Sequence, residues 1–320
     1  MKHFIKKLYV AITLLSVMSV GHVFADYRNS LSCGENEDCN PCQPTCSRAY
    51  IGAELLYWRA FQNGLDICVP TDVSDTVTDG EVISTFRGEG HEPNFEWHPG
   101  FRINVGFEMP SCNKWDIATT WTHFHSHVHG SHHGDRPHWN INLDVVDVVA
   151  GYRLDLGDCF TVRPFAGLRV ARIDQKIHIV DFADGTDFGD LISEDVNNKE
   201  RFRGIGPLLG LEANWNMGCN FSLYANASIS WLYGKFHVRQ TEFEDVVGAS
   251  NFCEVEKHLN GTQAIADVGL GIRWQTCFCM NTQLIIQLGL EHHRYFDHNR
   301  IGCYGDLSFD GLNLGAGLAF

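Results

Sequence analysis

Apolar residues fall at every second position in segment after segment of this chain, and that period limits what the chain can become. Phe221, Leu223, Ala225, Ala227, Ile229, Trp231 and Tyr233 alternate with Ser222, Tyr224, Asn226, Ser228 and Ser230. Ala264, Ala266, Val268, Leu270, Ile272 and Trp274 do the same, as do Leu284, Ile286, Leu288 and Leu290, and Phe101, Ile103, Val105 and Phe107. A two-residue period puts one set of side chains on one face of an extended strand, so the fold class is all-β. A soluble sandwich would hide the apolar face between sheets. A transmembrane barrel would turn it to lipid and line its lumen with polar and small residues. The partner faces here are rich in Gly, Asn, Gln, Arg and Glu, and aromatics bracket the apolar stretches (Tyr57 and Trp58, Trp231 and Tyr233, Tyr295 and Phe296). Both features favour a transmembrane antiparallel up-and-down β-barrel. The last segment alternates Leu312, Leu314, Ala316 and Leu318 and ends on Phe320, in the manner of an outer-membrane assembly signal.

The connections alternate too. Strands are expected near 49–60, 97–109, 115–128, 139–154, 160–176, 201–215, 220–237, 258–275, 281–296 and 307–320. Connections after the odd strands are long (61–96, 129–138, 177–200, 238–257 and 297–306), and those after the even strands are short. Short periplasmic turns and long outer loops are the rule for such barrels. Ten strands result. A further hairpin around Asp79-Gly80, between Thr76-Val77 and Val82-Ile83, would raise the count to twelve.

Residues 1–25 read as an export signal. Lys2, Lys6 and Lys7 precede an apolar run from Leu8 to Val20, and Val23-Phe24-Ala25 suits a signal peptidase. The alternative, an uncleaved anchor, is disfavoured because the run is short for a spanning helix. Residues 26–48 form a cysteine-rich periplasmic tail and 49–320 the barrel. The net charge is −15, which disfavours nucleic acid as a partner. All 12 cysteines follow the leader and so meet an oxidising compartment, where disulfides are expected. Cys33, Cys39, Cys42 and Cys46 lie in the tail, and Cys112, Cys159, Cys219, Cys277 and Cys279 lie in the short turns. These nine are disulfide candidates, within the chain or between chains. A zinc site in the tail is the lesser alternative.

Several segments resemble the major outer membrane protein-like porins of legionella and chlamydia-like bacteria. They are Tyr50-Ile51-Gly52-Ala53-Glu54-Leu55-Leu56-Tyr57-Trp58, His98-Pro99-Gly100-Phe101-Arg102, Trp121-Thr122-His123-Phe124-His125-Ser126, Phe202-Arg203-Gly204-Ile205-Gly206-Pro207, Leu232-Tyr233-Gly234-Lys235-Phe236 and Gly289-Leu290-Glu291-His292-His293-Arg294-Tyr295-Phe296. The resemblance runs from about residue 50 to the C-terminus. It implies a pore-forming barrel of the Gram-negative outer membrane, in an envelope that disulfides reinforce, and no catalytic residues.

Function is read from charge. Glu54, Arg102, Glu108, Asp147, Arg163, Arg169, Glu212, Asp267, Arg273 and Glu291 share the lumen face in this reading, and buried charges of both signs should pair. Acidic loops, including 177–200 with Glu194, Asp195 and Glu200, would favour cations. The expected function is passive diffusion of small hydrophilic solutes. The alternative is a non-conducting structural or adhesive barrel, because a ten-strand barrel is much slimmer than open porins. His123, His125, His127, His129, His132 and His133 crowd the expected mouth. They form either a polar rim or a metal-capturing cluster, and no cofactor is expected. An outer-membrane barrel protease, with Asp135 beside that cluster, is the least favoured reading. Expected partners are outer-membrane lipid, the barrel-assembly machinery, other copies or cysteine-rich envelope proteins joined by disulfides, and the diffusing solutes.

Overall fold

Strands with one apolar face and no covering layer can satisfy their edges in lipid only by closing on themselves. The computed structural model describes residues 48–63, 67–78, 81–91, 95–109, 114–129, 138–184, 191–246, 249–278, 282–300 and 305–320. The signal and tail, with Cys33, Cys39, Cys42 and Cys46, lie outside the described residues, as do Cys112, Cys279, His132, His133 and Asp135.

The described strands are β1 (Arg48–Gln62), β2 (Ile67–Thr78), β3 (Glu81–His91), β4 (Trp97–Glu108), β5 (Trp115–His129), β6 (His138–Tyr152), the two-residue β7 (Leu154–Asp155), β8 (Phe160–Asp184), β9 (Leu191–Gly218), β10 (Phe221–Val246), β11 (Ala249–Phe278), β12 (Thr282–Phe296) and β13 (Leu307–Ala319). They run antiparallel in the order β6-β5-β4-β1-β13-β12-β11-β10-β9-β8, and β6 also pairs with β8, which closes the barrel. The first and last strands are neighbours: Ala49 and Phe320 exchange both backbone hydrogen bonds at 2.9 Å.

Ten strands close the barrel. The hairpin expected around Asp79-Gly80 forms, as β2 and β3, but it makes its own two-stranded sheet and adds nothing to the barrel. A second expectation is corrected. Connections 177–200 and 238–257 are largely strand, because β8 to β11 run for 25, 28, 26 and 30 residues. A tilted strand crosses a bilayer in about 9–11 residues, so these four continue far beyond it as paired arms. Strong cross-strand pairing (Gln240↔Asn198, Thr241↔Asn197) carries the ladder where apolar alternation has lapsed. On the opposite rim the turns are tight. Cys219 and Asn220 link β9 to β10 with φ of 49° and 69°, the left-handed pair of a type I′ turn.

The outward face carries the lipid belt, for example Leu55, Ile103, Trp121, Leu168, Ile205, Leu270, Leu288 and Leu314, all exposed. At the level of Val170, Ile205 and Tyr233 the pattern inverts without changing register. Beyond it the outward positions are charged (Arg172, Arg203, Lys235), and the inward positions become apolar (Ile173, Phe202, Phe236). Gly206 sits at this level. A Cβ there would lie 1.8 Å from the Trp231 carbonyl oxygen, and Pro207 beside it has no N–H to donate, so the β9–β10 ladder skips from Leu208 to Ile205.

Candidate functional site

The lumen divides into two storeys. All ten charges singled out above point into the lower one, where they line a chamber of about 640 Å³. Inward glycines make room for them: on β13, a Cβ at Gly315 would come within 2.9 Å of the Glu54 side chain.

The chamber's roof is a belt of ion pairs. Arg102 on β4 donates through Nη1 to Glu54 Oε2 at 2.9 Å, and grips Glu291 on β12 with both terminal nitrogens, at 2.7 and 2.8 Å. Asn313 Nδ2 donates to the same two carboxylates, at 3.3 and 2.6 Å. His293 links this cluster to the next. Its Nε2 faces Glu291 Oε2 at 3.2 Å and its Nδ1 faces Asp267 Oδ1 at 2.8 Å. Carboxylates only accept, so an imidazolium with both nitrogens protonated satisfies both contacts. Asp267 in turn accepts from Arg169 Nη1 at 2.6 Å, and Arg169 closes on Asp147 at 2.7 and 2.8 Å. The belt thus crosses the lumen from β4 through β12 and β11 to β8 and β6. Lower down, Arg163 pairs with Asp116 through two hydrogen bonds and faces Glu212, which Arg273 also reaches at 3.3 Å. Glu108 accepts from Arg153 at 2.7 Å.

Above the belt the lumen is filled. Trp58 lies 4.7 Å from the His293 ring and packs on Phe124 and Phe309, with centroids at 5.5 and 6.1 Å. Around them close Leu56, Leu143, Ile173, Ile265, Tyr295 and Leu307, each at most 2 % exposed. Phe202 and Phe236 meet at 4.5 Å below a cap formed by His298 and Asn299, both fully buried. His298 Nδ1 donates to Gln263 Oε1 at 2.9 Å; burial and nearby Arg300 hold the imidazole well below its usual range, at about 3, so it is neutral. Glu200 is corrected from solvated loop acid to buried group. It accepts from the Arg300 backbone N–H and from Gln175, both at 3.0 Å, and burial raises its carboxyl to about 7. Eleven buried side-chain atoms among the described residues lack a hydrogen-bond partner, and the plug holds most of them, including both ends of Gln62, Asn198 Oδ1, Glu200 Oε1 and His298 Nε2.

Sequence reasoning placed the lumen charges and missed their bridges, Asp116, His293 and Asn313. It also missed the plug. The signal for it was present: Leu232 and Phe236 are out of phase with Trp231 and Tyr233 within one strand.

His123, His125 and His127 of β5 point away from the lumen. His123 Nδ1 faces Asp144 Oδ1 at 2.8 Å across the β5–β6 pair, His125 faces Asn142 at 2.6 Å, and the His127 ring lies tilted against that of His98, with centroids 4.6 Å apart. Among the described residues the group with metal-sized geometry is instead His237, Glu256 and His258, on the outer face of β10 and β11. The His129 side chain lies outside the described residues. Of the turn cysteines, Cys219 is exposed with a free thiol and Cys159 ends the β7–β8 turn; Cys277 is described only in its backbone, at the end of β11. Cys253 is a second free, exposed thiol, on the long arm of β11.

Solved structures share the outline. The outer membrane protease OmpT of Escherichia coli is 11 % identical, covers 88 % of this chain and 99 % of its own, and gives a TM-score of 0.46. The toluene transporter TodX of P. putida is 8 % identical, with 87 % and 90 % coverage and a TM-score of 0.35. The attachment invasion locus protein Ail of Yersinia pestis is 13 % identical, with 86 % and 100 % coverage and a TM-score of 0.26. Such scores carry no functional argument, and the barrel stands on its own strand pairing. No curated protein matches by sequence. The family model described as the Legionella pneumophila major outer membrane protein precursor matches residues 40–317. With that span matched and the barrel closed by its own ladder, the chain belongs to the family of the Legionella major outer membrane protein and resides in the outer membrane.

Proposed function

We propose that the protein is a structural barrel of the outer membrane whose lumen is closed to solutes in the described conformation. The observation that carries this reading is the apolar plug above the ion-pair belt. A hydrated solute moving up from the chamber meets Arg102, Glu291, His293, Asp267 and Arg169 fully paired, then Trp58, Phe124 and Phe309 in ring contact. Passage requires both to separate. In this reading the cysteines tie the barrel to other copies or to cysteine-rich envelope proteins, and Phe320, exposed to lipid beside Ala49, serves the assembly machinery. Catalysis has no part in it. A peptidase activity abolished by Asp144→Asn or His123→Ala would overturn that last point.

Passive, cation-leaning diffusion of small hydrophilic solutes is the second reading. The wet chamber favours it, as do the unpartnered polar atoms of the plug, which a water-filled path would satisfy. Single-channel current of the refolded mature chain, under a KCl gradient, decides between the two. No discrete steps are expected from protein that keeps heat-modifiable mobility. Steps with a cation-leaning reversal potential would establish the pore instead.

A further inference from the structure

The outward face above the lipid belt is not evenly polar. On three adjacent strands Arg172, Arg203 and Lys235 stand directly opposite one another, as Arg172↔Arg203 and Arg203↔Lys235. Neighbouring strands are about 4.8 Å apart, so the three cations share a front of about 10 Å. Like charges in directly opposed positions weaken a sheet. Protein neighbours relieve part of this. Arg172 pairs with Asp174, and Arg201, in the next row, pairs with the same carboxylate, at 2.6 and 2.7 Å. Among the described residues the side chains of Arg203 and Lys235 make no hydrogen bond or ion pair, and both are exposed. An open groove runs past Arg201, Arg203, Lys235 and His237.

What lies beneath the row identifies the ligand. One residue pair down, Val170, Ile205 and Tyr233 form the top of the lipid belt, exposed by 46, 53 and 64 %. Alternate residues on a strand are about 6.5–7 Å apart. A lipid whose acyl chains lie along Leu168, Val170 and Ile205 therefore carries its headgroup at the height of the cation row. Arginine forks and lysine ammonium groups fit phosphate oxygens.

We propose that Arg172, Arg203 and Lys235, flanked by Arg201, form a binding site for the phosphate-bearing headgroup of a glycolipid in the outer leaflet. The phosphate offsets the opposed charges, and Tyr233 and Ile205 hold the upper acyl segment. The site rests on the outer-membrane placement of the barrel with its long arms outward, and is independent of whether the lumen conducts.

The test uses the full mature barrel refolded in phosphatidylcholine vesicles, titrated with a bisphosphorylated acyl glycolipid and with the same glycolipid after dephosphorylation. The phosphorylated form is expected to bind more tightly, with an affinity that falls as salt rises. Arg203→Gln with Lys235→Gln is expected to weaken it about 30-fold, from two basic groups near the headgroup plane. Lys176→Gln with Lys199→Gln, farther up the same face, should leave it near the wild-type value. Should the double variant fail to refold, Arg172→Gln alone is read, with a weakening of about fivefold. Equal binding of the two glycolipids, or no effect of the variants on them, overturns the proposal. So does displacement of the glycolipid by inorganic phosphate alone at equal concentration, which would make this a free-anion site rather than a headgroup site.

Discussion

The two storeys of the lumen are built from the same strands, in the same register, yet they obey opposite rules. Below Val170, Ile205 and Tyr233 the strands stand in lipid: apolar side chains point out and charges point in. Above that level the strands stand in water, so charges point out and the inside becomes a core like that of a soluble protein. The inversion shows that alternation fixes which residues share a face, while the solvent around each level fixes which face is apolar. The upper storey packs an apolar interior because its outer face is polar, and the lower storey keeps its inward charges because each finds a partner.

The sharpest way to break this contrast is to remove one partner from the belt. Arg102→Met leaves Glu54 without a cation and Glu291 with His293 alone, the two carboxylates facing each other around Asn313, and is expected to cost about 3–5 kcal/mol. Adding Glu291→Leu should restore part of that, because two matched deletions cost less than one orphaned charge. Urea unfolding in lipid vesicles measures both. Additive losses would mean that the belt is no network. In the upper storey, Phe309→Ala opens a cavity among Trp58, Phe124 and Tyr295 and should likewise cost about 3–5 kcal/mol. Leu288→Ala, on the lipid face, creates no lasting cavity because fluid acyl chains fill the space, so only the transfer loss of about 2 kcal/mol remains. Equal costs at Phe309 and Leu288 would show that the plug is no tighter than lipid.

This contrast explains what the sequence could reveal. Alternation in 221–233 and 264–274 was enough for the barrel and for the face shared by the ten charges, because lipid enforces one phase over a fixed height; the pairing of β1 with β13 is supplied by the structure. The arms of β8 to β11 escaped notice because Glu194, Asn197, Asn198 and Lys199 form strand through backbone pairing, without an apolar face to betray them. Glu200 looked like one more loop acid; only the closure that brings the Arg300 backbone N–H and Gln175 to it shows otherwise. His293 was legible as a residue but not as a bridge, since its two carboxylate partners lie on different strands at 2 and 26 residues' separation.

Glu200 tests the upper storey with a smaller effect and a definite sign. Its carboxyl is raised to about 7 by burial, above the usual carboxylate range, so the fold favours its protonated form. That stability is fully present below about pH 4.5 and is lost as pH rises through 7. Glu200→Gln keeps the acceptor for the Arg300 N–H and Gln175 while removing the charge. At pH 8 it is expected to stabilise the barrel by roughly 1–3 kcal/mol, and to flatten the fall in stability between pH 5 and 7. An unchanged slope would place Glu200 in contact with water, and the storey above the belt would be wet.

The smallest perturbation separates the two ends of the tube. Cys219, in the left-handed turn between β9 and β10, and Cys253, on the far arm of β11, are both exposed free thiols at opposite ends of the long strands. With the short turns in the periplasm and the arms outside, a membrane-impermeant maleimide on intact cells is expected to label Cys253, and to reach Cys219 only after the outer membrane is permeabilised. Cys219→Asn removes the second signal at a cost within about 0.5 kcal/mol, because Asn tolerates the left-handed conformation that Cys219 already adopts. It also removes any cross-linked band on a non-reducing gel that depends on this turn, leaving bands that depend on the other cysteines. Labelling in the reverse order would turn the barrel over. The polar chamber would then open to the outside and the apolar storey to the periplasm, and the cation row would face the inner leaflet.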